Sequence, residues 1–125
     1  MFSQARVHAA LPAADLARTR AFYEEKLGLL PSQAYSWALI YELNGGTRFS
    51  VFQTPNPARG GHTQMGFAVP DVRAAVAYLK EAGVVFEEYD APDLKTVDGV
   101  ADWEDHSSAW FKDSEGNIID LLEAE

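Results

Sequence analysis

Residues 8–28, HAALPAADLARTRAFYEEKLG, and residues 64–83, QMGFAVPDVRAAVAYLKEAG, are two statements of one frame. Each begins with a short apolar run, passes a Pro and an Asp, and continues into an amphipathic segment that closes on Gly. Asp15 and Asp71 stand 56 residues apart, as do His8 and Gln64, Leu11 and Phe67, and Phe22 and Tyr78. Gly28 and Gly83 are 55 apart, a slip of one residue at the segment end. Further on, Tyr41 and Phe111, Gly46 and Gly116, and Ser50 and Asp120 share a spacing of 70. Self-similarity at a fixed spacing marks a repeated supersecondary unit. The widening from 56 to 70 gives the second copy about 14 more residues than the first. They fall most naturally in DAPDLKTVDGVADWEDH (90–106), rich in Asp, Pro and Gly and therefore loop-like.

Local chemistry gives each copy its elements. Asp15 and Asp71 suit the N-cap, where a short carboxylate accepts the free amides of the first helical turn. From there Val72, Ala75, Val76 and Leu79 recur at the spacing of one helical face. Gly28 and Gly83 suit the left-handed position that ends a helix. The runs WALIYEL, TRFSVFQ, GVVFEEY, SSAWFKD and NIIDLLE read as strands, with NGG (44–46) and DSEGN (113–117) as hairpin turns. TPNPARGG reads as the connection. The expected architecture is a tandem βαβββ repeat of class α+β. A first module spans residues 1–54, a linker 55–61 and a second module 62–125.

Composition narrows the functional classes. The chain has 125 residues, 47% of them hydrophobic, which suits one compact domain or two fused small modules. No run approaches the ~20 apolar residues of a membrane span. The N-terminus has no apolar region like that of a signal peptide, so a cytoplasmic protein without membrane contact is expected. There is no Cys, which removes disulfides and thiolate chemistry together. The formal charge of −9 repels a phosphate backbone, so nucleic acid is not an expected partner. The same charge suits a cleft that attracts a cation.

The quoted frame, with the closing AWFKDSEGNIIDLLE, resembles the vicinal-oxygen-chelate superfamily of glyoxalase I, bleomycin-resistance proteins and extradiol dioxygenases. The resemblance covers nearly the whole chain. It implies two βαβββ modules that shape a curved, cup-like mixed sheet with helices on its outer face, and it implies a homodimer. Metal-dependent members place one ligand on the first and last strand of each module. Carried over by position, those places are held here by His8, Ser50, Gln64 and Asp120. Gln stands where His is commoner, Asp where Glu is usual, and Ser replaces a carboxylate.

Strand alternation extends this set. Ser50 and Phe52 share a face, as do Ile118, Asp120 and Leu122. The Tyr41–Phe111 equivalence puts Ile40 and Trp110 on the cup side. Trp103, in the long acidic segment, is a candidate lid residue, and segment 90–106 a candidate lid. Trp37 shares the phase of Tyr41 and is expected in the core. His62 and His106 are expected as exposed loop residues. His8, Ser50 and Gln64 each have a plain alternative role: His8 as a hydrogen-bonded structural or surface residue, Ser50 and Gln64 as residues satisfying backbone groups or water in a polar pocket. Asp120 lies among Ile and Leu and is costly to bury unpaired. It faces the cup or pairs with His8, and such a pair could serve as an acid/base dyad or as an anchor for an amine.

Zn²⁺ sites generally want three strong ligands and Fe(II) oxygenases two His and a carboxylate, so His8, Gln64 and Asp120 form an incomplete set. The leading expectation is therefore a small-molecule binding protein without cofactor, taking a cationic or aromatic compound against Asp120, Trp110, Phe52 and Trp103. Asp98, Asp102, Glu104 and Asp105 would add negative charge. A metal-dependent lyase or isomerase related to glyoxalase I is the alternative, with His8, Gln64 and Asp120 holding a divalent ion. An interaction module with a closed cup is a third. No phosphate-binding Gly-rich loop and no Ser–His–Asp arrangement is recognisable.

Overall fold

The two aspartates perform the role their positions suggest. Asp15 accepts from the Arg18 amide and Asp71 from the Ala74 amide, each at 3.0 Å. They open α1 (Leu16–Leu27) and α2 (Val72–Glu81). Gly28 ends α1 at φ 68° and Gly83 follows α2 at φ 92°, backbone that an L side chain resists. The computed structural model describes residues 1–57 and 60–123.

Ten strands accompany the helices among the described residues. The first module holds β1 (Ala9–Ala13), β2 (Gln33–Ala34), β3 (Ala38–Glu42) and β4 (Arg48–Gln53). The second holds β5 (Thr63–Val69), β6 (Asp90–Ala91), β7 (Leu94–Lys95), β8 (Val100–Asp102), β9 (Ser107–Lys112) and β10 (Ile118–Glu123). The sheet is built as two four-stranded halves, ordered β1-β4-β3-β2 and β5-β10-β9-β8. β1 lies parallel to β4 with Ala10 opposite Ser50, and β5 parallel to β10 with Gly66 opposite Asp120. Those two pairs are related by the same spacings of 56 and 70, so the register carries the repeat. The fold is the α+β, βαβββ type.

One side of each half is apolar and faces its helix. Leu11, Tyr41, Phe49, Val51, Phe111, Ile119 and Leu121 alternate along the strands and join Tyr23, Val76 and Leu79 from the helices in one continuous core. Trp37 is not part of it, contrary to expectation. It is 61% exposed and stacks on Tyr35 at a centroid distance of 5.6 Å. It precedes β3, so the alternation that buries Tyr41 does not extend to it.

GVVFEEY also departs from its expected form. Against β9 it makes one isolated bridge, Phe86 to Phe111, and one bond from the Glu87 amide to the Trp110 carbonyl at 2.8 Å. The strand expected there, β8, comes instead from within 90–106, which also carries the β6–β7 hairpin. The reason is that β9 has one free edge. Phe86 and Glu87 take its C-terminal half, and β8 takes the half from Ser107 to Ala109. Glu88 ties the intervening segment back, accepting from Thr96 Oγ1 at 2.7 Å and the Gly99 amide at 2.9 Å.

The DSEGN turn does more than reverse the chain. Asp113 accepts from the Tyr23 hydroxyl at 2.8 Å, from Asn117 Nδ2 at 2.9 Å, and from the amides of Glu115 and Asn117. Glu115 reaches across to the first module. It accepts from the amides of Ala14 and Asp15 and from the Arg18 guanidinium, at 2.7 to 3.1 Å. Asn117 donates to the carbonyl of Pro12 on the outer edge of β1. The turn thus fastens the second module to the end of β1 and the start of α1.

Candidate functional site

On the side away from the helices, the second half-sheet carries a carboxylate among aromatic rings. Trp110 and Asp120 are direct cross-strand neighbours, and Asp120 in turn faces Gly66 on β5. A Cβ at position 66 would overlap Asp120 Oδ1. The carboxylate therefore lies back onto β5, in space that only glycine leaves open. Asp120 is half-buried, and burial alone raises its pKa above the ordinary aspartate value. Among the described residues nothing donates to it.

A β-bulge shapes the floor beside it. Thr63 stands opposite Ile118, and Met65 opposite Ile119, so Gln64 is an extra residue in β5. Met65, Phe67 and Val69 pack toward the core, which leaves Gln64, Gly66 and Ala68 on the open face. Thr63 joins that face through the bulge and accepts from Trp110 Nε1 at 3.0 Å. Gln64 Oε1 is buried and has no hydrogen-bond partner among the described residues.

Trp110 is walled by two further rings. Tyr89 stands at 88° to it with centroids 5.6 Å apart, and Trp103 at 84° and 6.3 Å. Trp103 also stacks on His106 at 4.7 Å, and His106 Nδ1 meets Asp105 at 2.6 Å. The long segment therefore places Trp103 beside Trp110 through packing. Of its acidic residues, Asp102 does not serve the open face. It is held by Arg73 of α2 at 2.7 Å and by Ser107, which bring its pKa down to about 2. Asp98 lies in the turn beside α2, its carbonyl accepting from Lys80. Contrary to expectation, neither adds charge to the open face: Asp102 is paired with Arg73, and Asp98 lines a groove along α2 with Arg73 and Lys80.

The first half-sheet presents His8, Ile40, Ser50 and Phe52 on its own open face. His8, Trp37, Ile40 and Ser50 line a groove of about 290 Å³. A second groove of about 270 Å³, between the halves, meets His8, Arg48 and Gly66. Phe52 shares the Ser50 face, between the buried Val51 and the strand end. Neither groove reaches Gln64, Trp110 or Asp120, and no hydrogen bond or ion pair joins His8 to Asp120 among the described residues. One chain thus gathers Gln64, Trp103, Trp110 and Asp120 on one half, and His8, Ser50 and Phe52 on the other.

The family model for the Glyoxalase/Bleomycin resistance protein/Dioxygenase superfamily matches residues 5–121. The chain belongs to that superfamily. Among solved structures, a glyoxalase family protein from Enterococcus faecalis aligns at 25% identity over 98% of this chain and 100% of its own, with a TM-score of 0.73. TnmS3, an antibiotic-binding protein from Streptomyces sp. CB03234, aligns at 25% over 98% and 99%, with a TM-score of 0.69. A bleomycin-binding protein solved with bleomycin aligns at 20% over 98% and 100%, with a TM-score of 0.73, a likeness of fold. No curated protein matches the chain.

Superfamily membership makes a metal site worth testing against the side chains present. The four positions where metal-dependent members hold ligands supply one imidazole, one amide, one hydroxyl and one carboxylate. Zn²⁺ and Fe(II) sites draw on more imidazole, thiolate or carboxylate than this. No cluster of three His, Asp or Glu side chains arises among the described residues. These donors do not fit such a metal.

Sequence reasoning missed Thr63, Gly66 and Tyr89. Gly66 carried a readable signal, since a glycine inside a strand marks a bulge or a close approach. Both occur here. Tyr89 carried none, because its place depends on how the long segment folds back.

Proposed function

We propose that the protein binds a small cationic or aromatic compound on the open face of its second half-sheet, without metal and without chemistry. The observation behind this reading is Asp120, a half-buried carboxylate with no internal donor, set next to Trp110 and flanked by Tyr89 and Trp103. A desolvated, unpaired charge is costly unless something outside the chain compensates it. An aromatic wall and a net charge of −9 both favour a cation as that partner. The likeness to TnmS3, an antibiotic-binding protein, supports a small molecule as the ligand.

The first half-sheet, with His8, Ser50 and Phe52, completes the cup in a homodimer, where one protomer's open face meets the partner's. Exposed Trp37, Trp103 and Leu122 on these faces suit that role. Light scattering in solution is expected to return twice the chain mass.

The deciding experiment is calorimetric titration with cationic aromatic antibiotics, alongside plasma mass spectrometry after exposure to Zn²⁺, Ni²⁺, Mn²⁺ and Fe²⁺. Micromolar binding lost in Asp120→Asn, with no stoichiometric metal, supports the reading. One ion per chain, lost in His8→Ala or Asp120→Ala, sinks it in favour of a lyase or isomerase.

A further inference from the structure

Two acceptors on the open face lack donors, and they are neighbours. Gln64 and Gly66 lie two residues apart on the same face of β5, and Asp120 faces Gly66 across the ladder. Gln64 and Asp120 thus project from the same open face of the parallel β5–β10 pair, Gln64 from the bulge and Asp120 from beside Gly66. Gln64 Oε1 is buried without a partner, and Asp120 has none among the described residues. A donor stands close by in the Trp110 indole, but it is already spent on Thr63. An indole has no second donor. The Thr63 bond therefore fixes the Trp110 ring and leaves both acceptors without an internal donor, and Gln64 Oε1, being covered, meets a group from outside only as its side chain turns outward.

Such a group must meet three conditions together. It must carry positive charge for Asp120, present at least two N–H bonds in different directions, and be flat enough to lie beside an indole. A quaternary ammonium meets the charge and the ring but donates nothing. A primary ammonium donates but is a compact, strongly hydrated point charge. Guanidinium and amidinium groups meet all three, with planar forks of N–H donors.

We propose that the ligand is anchored by a planar N–H-bearing cation, an amidinium or guanidinium, donating at once to the Asp120 carboxylate and to Gln64 Oε1 beside the Trp110 ring. This rests on the reading that the open face of the second half-sheet binds a cation. It adds which cation, and it makes Gln64 the residue that selects donors over bare charge. The bulge at Gln64 serves this end, because two β5 residues then face the site where an unbroken strand would offer one.

The test compares benzamidine, as its cation, with phenyltrimethylammonium on the unaltered chain, by calorimetry and by the shift of the Trp110 indole N–H resonance. Both probes carry one charge and one ring, and they differ in N–H donors. Benzamidinium is expected to bind at least about tenfold tighter, the scale of one charge-assisted hydrogen bond. Gln64→Met is expected to erase most of that difference while leaving phenyltrimethylammonium unaffected. Equal or tighter binding of phenyltrimethylammonium overturns the inference and leaves the cation-binding face standing. A preference for benzamidinium that survives Gln64→Met overturns the role of Gln64. Absence of both probes from the face overturns the inference together with the reading beneath it.

Discussion

Glu115 and Asp120 lie on one β-hairpin, five residues apart, and the fold treats their carboxylates in opposite ways. Glu115 is shielded from solvent, and burial works to raise its pKa. Bonds from Arg18, Ser114 and the Asp15 amide outweigh that and hold it below the ordinary glutamate value. Asp120 is half-buried with no such bonds, and its pKa is raised. The first carboxylate is consumed by the fold; the second is left over. Buried polar groups are normally satisfied, so a satisfied one belongs to structure and an unsatisfied one asks for a partner from outside. The closing stretch AWFKDSEGNIIDLLE thus contains two unlike parts. Its turn joins the modules, and its strand faces the site.

The comparison breaks most visibly at the turn. Glu115→Ala is expected to destabilise by about 3 kcal/mol in urea unfolding, since it orphans two backbone amides as well as Arg18. Arg18→Ala should cost less, because the Arg18 side chain is half exposed and both amides still hold Glu115. Tyr23→Phe removes one buried hydroxyl from Asp113 and is expected to cost about 1–2 kcal/mol. Asp120→Asn should move the other way, gaining about 0.5–1 kcal/mol at neutral pH while abolishing binding. A loss comparable to that of Glu115→Ala would show that Asp120 is structural after all.

Acid should separate the two sites by sign. Glu115, with a lowered pKa, contributes stability that is present above the unfolded glutamate value near 4.5 and is lost as pH falls through its folded value. Asp120, with a raised pKa, is a burden while ionised, and that burden lifts as pH falls through its folded value. The stability advantage of Asp120→Asn over the unaltered chain should therefore shrink toward zero between neutral pH and about pH 4. Urea midpoints across that range measure it.

The smallest expected effect is at Gly66. Gly66→Ala should change stability little, within about 0.5 kcal/mol, because the residue is exposed. It should still weaken cation binding, since the new Cβ displaces the Asp120 carboxylate. Unchanged affinity in calorimetry would mean that the position of this carboxylate is immaterial to binding.

Spacing and local chemistry made most of the fold legible in advance. Offsets of 56 and 70 became the pairs Ala10–Ser50 and Gly66–Asp120, and the Asp caps and terminal glycines fell where their backbone chemistry requires. Alternation likewise put Trp110 and Asp120 on one face, because a strand has a strict period of two. What failed was whatever depended on more than one neighbour. The strand expected at GVVFEEY moved into 90–106 because two segments compete for one edge of β9. Trp37 escaped the core because it lies outside β3, and the phase of a strand holds only within it.

The site divides in the same way. Residue types alone showed that the positions of His8, Ser50, Gln64 and Asp120 carry too few strong donors for a Zn²⁺ or Fe(II) centre. Only the tertiary structure decided which of them stand together, put Thr63 against Trp110, and left Gln64 and Asp120 without donors. The physical reason is that identity and periodicity are local properties of a chain. Satisfaction of a hydrogen bond is a property of everything that folds around it.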